Sequence, residues 1–341
     1  MTDLQPSRGR LHPLLRVFLY LVATVLLGQV VVGLALGVGL TLVTFLLRRL
    51  EPARLAAWMA GVEAGQIPTS LLFLSVALDL AWITFVTWLF LHLLDRQRFP
   101  SIGFQTGDLL PSAVMGVVFG VATFLLVTLV FWAKGWAVFR WDRPLVGLVS
   151  MIAVVLPAAV AEEIAFRGYI LGTLRGWRGW PLAIGLSSAL FSLAHGLNPA
   201  LNWLALLNIF LAGLAFSLAV RWRGSLWLPL GFHFAWNYMQ GPVLGLPVSG
   251  LTAFGVGSAS RLVGPVLWTG GSFGPEGGLT VTVVVAAACL VLWILGLGAA
   301  HRGQPESVRP RSNPRPDESP PMLECLRWSA TVVGKGPGAS P

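Results

Sequence analysis

Eight stretches of the chain are apolar over about the length of a membrane-crossing helix: 17–47, 70–94, 111–133, 146–170, 181–196, 201–220, 225–241 and 279–299. Lipid offers no partner for a free backbone N–H or C=O, so a run of roughly 20 apolar residues in a lipid-facing chain has to be helical. The first stretch exceeds what one upright helix needs, so its ends protrude or it tilts. The third opens at Pro111, a residue suited to the first turn of a helix. The fifth is short and stops before Asn198-Pro199, and the seventh is short and contains Pro229. Short connections between the fourth and seventh make those spans antiparallel neighbours. The pattern therefore predicts an all-α fold, a polytopic transmembrane helical bundle of about eight spans.

Composition agrees with the pattern and overrides length. A chain of 341 residues would ordinarily suggest about two soluble domains. Here 55% of residues are hydrophobic and only 11% charged, against about a quarter charged in soluble domains. The expected organisation is a cytoplasmic segment over 1–16, a transmembrane domain over 17–299, and a basic, Pro-rich, disordered tail over 300–341. Residues 245–278, rich in Gly, Pro and Ser, read as an irregular loop before the last helix. No repeat of the kind that builds transporters from two related halves is visible. Arg8, Arg10 and Arg16 precede an apolar run too long for a signal peptide, which predicts a retained first helix.

The formal charge of +9 lies between the apolar runs and in the tail. That placement suits anionic headgroups of a lipid bilayer and argues against nucleic acid, which would need a basic face on a soluble domain. An arrangement with both termini cytoplasmic puts Arg8, Arg10, Arg16, Arg96, Arg98, Arg175, Arg178, Arg221 and Arg223 on the inner side. The expectation is an integral protein of the plasma (inner) membrane. Cys289 lies in a late span and Cys325 in the tail, so neither a disulfide nor a Cys-based metal site is expected.

Ionisable groups inside lipid cost roughly 2.5–3.5 kcal/mol each even on the gentler insertion scale, so each calls for an explanation. Glu163 and Arg167 are four apart, share a helix face and can neutralise each other, the Glu being N-terminal as an ion pair prefers. Glu162 projects about 100° round the helix and cannot share that pair equally. One carboxylate is thus structural, and the other, in apolar surroundings, is free for proton transfer. The competing reading makes all three a buried structural network. His195 follows Phe191 by one turn near the end of a short span. His233 and Asn237 are likewise one turn apart, placing an amide where it could orient the imidazole or hold an oxyanion. Each of these alone is as well explained by packing or by a helix–helix hydrogen bond. Convergence of Glu162, His195, His233 and Asn237 on one pocket would explain all four at once. Asp79, in the second span, is either a structural polar group or part of an access route.

In order, the chain shows Glu162-Glu163-x-x-x-Arg167, Phe191-x-x-x-His195 and His233-x-x-x-Asn237 on successive spans. This ordered triple resembles the CAAX-protease and bacteriocin-processing family (CPBP, also called Abi or type II CAAX prenyl endopeptidase-like), over a catalytic core at 146–241. The resemblance implies an intramembrane endopeptidase of eight helices or a similar number, acting on a membrane-associated protein or peptide. It implies that Glu162 activates a water, His195 positions or polarises it, and His233 and Asn237 bind the oxyanion. Glu163 and Arg167 would hold the helix and tune the site. The family is often described as metalloproteases, and a metal-free glutamate mechanism has also been argued for it. Glu162, His195 and His233 could supply three ligands to a divalent metal such as zinc with an open water position. The one-helix His-Glu-x-x-His zinc signature is absent. The general-base reading of Glu162 is preferred, with the metal left open.

Two readings from other classes stand beside this one. Intramembrane carboxylates and histidines also build the proton relays of a proton-coupled transporter. A non-catalytic scaffold or immunity protein could keep the same cluster for packing.

Overall fold

The computed structural model describes residues 11–63 and 68–302. The described residues up to Ala299 form one compact unit. The expected disordered tail, and Arg8 and Arg10, lie outside the described residues.

The fold is a bundle of helices in chain order. The first long rod comprises α1 (Pro13–Leu21), a π-helical turn at Val22–Leu27 and α2 (Gly28–Leu50). Next come α3 (Pro52–Glu63) and α4 (Thr69–Phe90), the latter extended by a π turn to Asp95. After α5 (Leu109–Ala133), α6 (Leu145–Glu163) continues through a π segment (Ile164–Ile170) into α7 (Leu171–Ala194). Then follow α8 (Trp203–Arg223), α9 (Trp227–Tyr238), the one-turn α10 (Val266–Thr269) and α11 (Leu279–Arg302).

Among the described residues, six segments are long and apolar enough to cross a membrane. Their outward faces carry Leu26, Leu34, Leu129, Trp132 and Ile294 exposed, which is stable only against an apolar solvent. The chain is therefore an integral membrane protein. The difference from eight expected spans has two sources. The fourth and fifth lie within one segment, Leu145–Ala194, broken inside α7 at Gly179, whose φ of 77° is left-handed. The seventh is α9, which even with the π turn that continues it over Met239–Val243 is at the short end for a full crossing.

Small residues set how the helices meet. On α5, a side chain at Gly116 or Gly120 would run into the backbone of α9 at Phe232, at 2.9 and 2.6 Å respectively. On α9, a side chain at Gly231 would approach the Val117 nitrogen to 2.9 Å. The two backbones thus touch through glycine, the means by which helices pack closely in lipid. Gly120→Val is expected to push α9 aside. We expect a loss of about 1–3 kcal/mol in thermal or denaturant unfolding, together with lost activity, because α9 carries His233. Unchanged stability would show that the contact is not tight.

Arg16 is buried in the bundle rather than free at its edge. It lies in α1, 1% exposed, ion-paired with Asp95 at the end of α4. Tyr20, one turn on, stacks on Tyr169 with ring centroids 4.3 Å apart and hydrogen-bonds Thr87 at 2.6 Å. The start of α1 is thereby tied to α4 and to the π segment that follows α6.

Residues 245–278 are more ordered than a Gly- and Pro-rich loop suggests. Arg261–Leu262 pair antiparallel with Ala137–Val138. The Arg143 guanidinium donates to the carbonyls of Val243, Val256 and Ser258. The Ser258 hydroxyl donates to Asp142 at 2.6 Å and holds that exposed carboxyl below the usual carboxylate range. Asn198 Nδ2 donates to the Ser249 carbonyl at 2.9 Å, and Asn208 Nδ2 donates to the carbonyls of Glu276 and Gly278 at 2.8 and 2.9 Å. These bonds make the segment a strap fastened across the bundle.

Candidate active site

The sequence places Glu162 and Glu163 at the C-terminal end of α6, after Pro157 has removed one backbone donor from the helix. The π segment that follows is of a kind often found where helices serve function. Its Arg167 reaches back so that Nη1 donates to Glu163 Oε1 at 3.1 Å, both side chains 0% exposed. The guanidinium also lies 4.1 Å from the centroid of Phe191 and 5.0 Å from that of Phe216. One carboxylate and two aromatic faces therefore replace its water. The pairing read from the four-residue spacing is present, and Glu162 is not part of it.

His195 caps the C-terminus of α7, its ring edge-on to Phe191 at 4.8 Å between centroids. Its Nδ1 lies 2.9 Å from the Phe191 carbonyl oxygen. A carbonyl only accepts, so Nδ1 carries the proton and the neutral ring presents a lone pair at Nε2. His233, on α9, stacks on Phe216 at 4.9 Å and 19°, with Nδ1 3.0 Å from Glu163 Oε1. The same reasoning puts a proton on Nδ1, so Nε2 carries a lone pair in the neutral ring and an N–H in the imidazolium. These tautomers are assigned from the hydrogen-bond partners.

Both Nε2 atoms face Glu162. Its Oε2 lies 3.7 Å from His233 Nε2 and 4.0 Å from His195 Nε2. That oxygen is buried and has no hydrogen-bond partner among the described residues, although the side chain as a whole is 34% exposed. Two imidazoles are thus oriented from behind, one by a carbonyl and one by a carboxylate, and an unpaired carboxylate oxygen sits between their front nitrogens. A buried polar atom left unpaired costs about 1–3 kcal/mol, so the arrangement calls for a further hydrogen-bonding group between the three.

Glu162, His195, His233 and Asn237 all line one cavity of about 370 Å³. Asn237 is one turn from His233, half-buried, and no other described residue hydrogen-bonds its amide. Glu163 and Arg167 stand behind this wall and support it. Asp79 lines the same cavity from α4. Sequence reading missed Glu276, Ser249 and Asn208, which line it as well. Their signal was weak, since a lone Glu in a Gly-rich stretch and isolated Asn and Ser residues are ordinary in loops.

Two imidazole nitrogens and a carboxylate are donors that suit zinc. Among the described residues, however, no group of three or more His, Cys, Asp or Glu is placed to hold a metal ion.

Residues 144–239 match the family model described as type II CAAX prenyl endopeptidase Rce1-like. An Escherichia coli protein described as an uncharacterized 24.3 kDa protein is 33% identical over 101 residues, 29% of this chain. That alignment spans 43% of the length of the relative. No solved structure matches the chain. The matched segment contains the three ordered motifs and the Glu, both His and the Asn on the cavity wall. Residues 144–239 are thus similar to the Rce1-like type II CAAX prenyl endopeptidase family.

Proposed function

We propose that the chain is an intramembrane endopeptidase that hydrolyses a peptide bond of a membrane-associated protein or peptide, with Glu162 as general base. The observation that carries this reading is the unpaired Glu162 Oε2 facing the Nε2 atoms of two oriented histidines in one cavity. The family of residues 144–239 supports the same reaction class.

In this mechanism a water sits between Glu162 and the imidazole of His195. Glu162 takes its proton while the water oxygen bonds to the peptide carbonyl carbon, and the carbonyl electron pair moves to oxygen. The Asn237 amide donates to the developing oxyanion. His233 donates to it through Nε2 only as the imidazolium, because its Nδ1–H is already committed to Glu163. A buried carboxylate behind the ring stabilises that cation. Collapse of the intermediate breaks the C–N bond, and Glu162 returns its proton to the leaving amine. Arg167 offsets the Glu163 charge and fixes that carboxylate's position.

The test is cleavage of lipid-anchored peptides by the purified protein in bilayers, followed by mass spectrometry of the products. Proteolysis at one bond is expected. Intact peptides together with uptake driven by a pH gradient would instead favour a proton-coupled transporter. Asn237→Ala is expected to lower kcat about 10²-fold with KM nearly unchanged, since the amide works only in the transition state. A raised KM at constant kcat would assign Asn237 to substrate binding.

A further inference from the structure

Glu276 lies in the strap, outside the segment matched to the family, and is 8% exposed on the cavity wall. Its Oε1 accepts from Trp236 Nε1 at 3.3 Å, and its Oε2 from the backbone N–H and, at 2.9 Å, the hydroxyl of Ser249. The groups facing it can all donate, so it serves as an acceptor. Three neutral donors leave one of its roughly four acceptor positions open, on Oε1. No salt bridge is made to it by the described residues.

The rest of the wall repeats this imbalance. Asp79, Glu162 and Glu276 line the cavity, whereas no described Lys or Arg does. Arg167 lies behind the wall, paired with Glu163. Taking a carboxylate out of water costs several kcal/mol unless a counter-charge or a full set of donors offsets it. Glu276 is held by groups on two elements, α9 and the strap, yet it has no charged partner among the described residues. A carboxylate so placed inside a large cavity is matched best by a cation that arrives with the ligand.

We propose that Glu276 is a specificity-determining residue that selects peptides carrying a Lys or Arg side chain near the bond to be cut. This rests on the endopeptidase reading given above and adds a substrate class to it. Trp236, which holds Oε1, precedes Asn237 and follows His233 by three residues. The recognition carboxylate is thus bonded to the helix that carries the oxyanion donors, which places the cationic side chain within a few residues of the scissile bond. Nothing covalent is asked of Glu276.

The experiment uses binding as its main readout, so that it does not depend on cleavage. Full-length protein in nanodiscs would be titrated with acylated, otherwise neutral peptides carrying a single Lys, Gln or Glu scanned along the chain. At the recognition position, wild type is expected to bind the Lys peptide about tenfold tighter than the Gln peptide, with the Glu peptide weakest. Glu276→Gln keeps one acceptor oxygen for these donors and removes the charge, and is expected to shrink the Lys-over-Gln preference to less than about twofold. Equal binding of all three peptides by wild type would overturn the proposal without needing any variant. A Lys preference undiminished in a folded Glu276→Gln protein would overturn it too. Cleavage measured in parallel separates the two readings: a Glu276-dependent preference without cleavage would sink the endopeptidase reading and leave the cation site standing.

Discussion

Glu162→Gln is expected to reduce peptide cleavage by at least about 10³-fold, within the range attributed to a general base, while leaving insertion and unfolding temperature close to wild type. The asymmetry between the two adjacent glutamates is the reason. Glu162 forms no hydrogen bond through its buried oxygen and no ion pair with Arg167, so its amide analogue removes no internal support. It nevertheless loses the ability to take a proton. A kcat within about threefold of wild type in a well-inserted Glu162→Gln protein would remove Glu162 from the mechanism, because no general base is lost at so small a cost. It would restore the scaffold reading, in which shape and hydrogen bonding suffice.

The second large effect concerns stability. Arg167→Met is expected to destabilise the protein by about 3–5 kcal/mol, the cost of leaving a buried carboxylate without its cation. Glu163 is fully buried and has His233 as its remaining partner. The double variant Glu163→Gln/Arg167→Met should recover most of that loss, since it removes both charges. It should remain inactive, because His233 then lacks the carboxylate that supports its imidazolium. Denaturant titration in lipid–detergent mixtures would measure the cycle. An Arg167→Met protein as stable as wild type would show that the two aromatic rings and Glu163 do not need the cation. Equal losses in Arg167→Met and in the double variant would show that the unpaired Glu163 charge is not the source of the loss.

What could be read from the sequence was local. The four-residue spacing of Glu163 and Arg167 and that of His233 and Asn237 fixed which groups share a helix face, and both pairs are found so arranged. The order of the motifs anticipated that Glu162, His195 and His233 meet, although 71 residues separate the first from the last (233 − 162). What escaped was set by distant partners. Arg16 looked like one more charge at a membrane edge, because its partner Asp95 is 79 residues away. Glu276 looked like a loop residue, because Trp236 is 40 residues before it and Ser249 is 27. No hydropathy window registers such pairings. The break between the apolar runs 146–170 and 181–196 was legible, and Gly179, with its left-handed φ, lies within it.

The strap is the clearest case of composition misleading. Gly and Pro are frequent in loops because they permit unusual backbone angles. Here they permit a fixed path. Gly250 sits at φ 83° with no room for a side chain against the Pro199 carbonyl, which locks the turn holding Ser249 against Glu276. A glycine-rich segment can therefore carry part of a binding wall when side chains of the neighbouring helices bond its carbonyls.

If Glu162 activates water for proteolysis within the membrane, cleavage products in cells depend on it. The most direct measurement compares the peptide termini of membrane fractions from cells carrying the native protein with those from cells carrying Glu162→Gln at matched abundance. A small set of new termini, belonging to membrane-associated proteins, is expected with the native protein and not with the variant. Identical termini in the two, with the variant stably inserted, would contradict that role of Glu162.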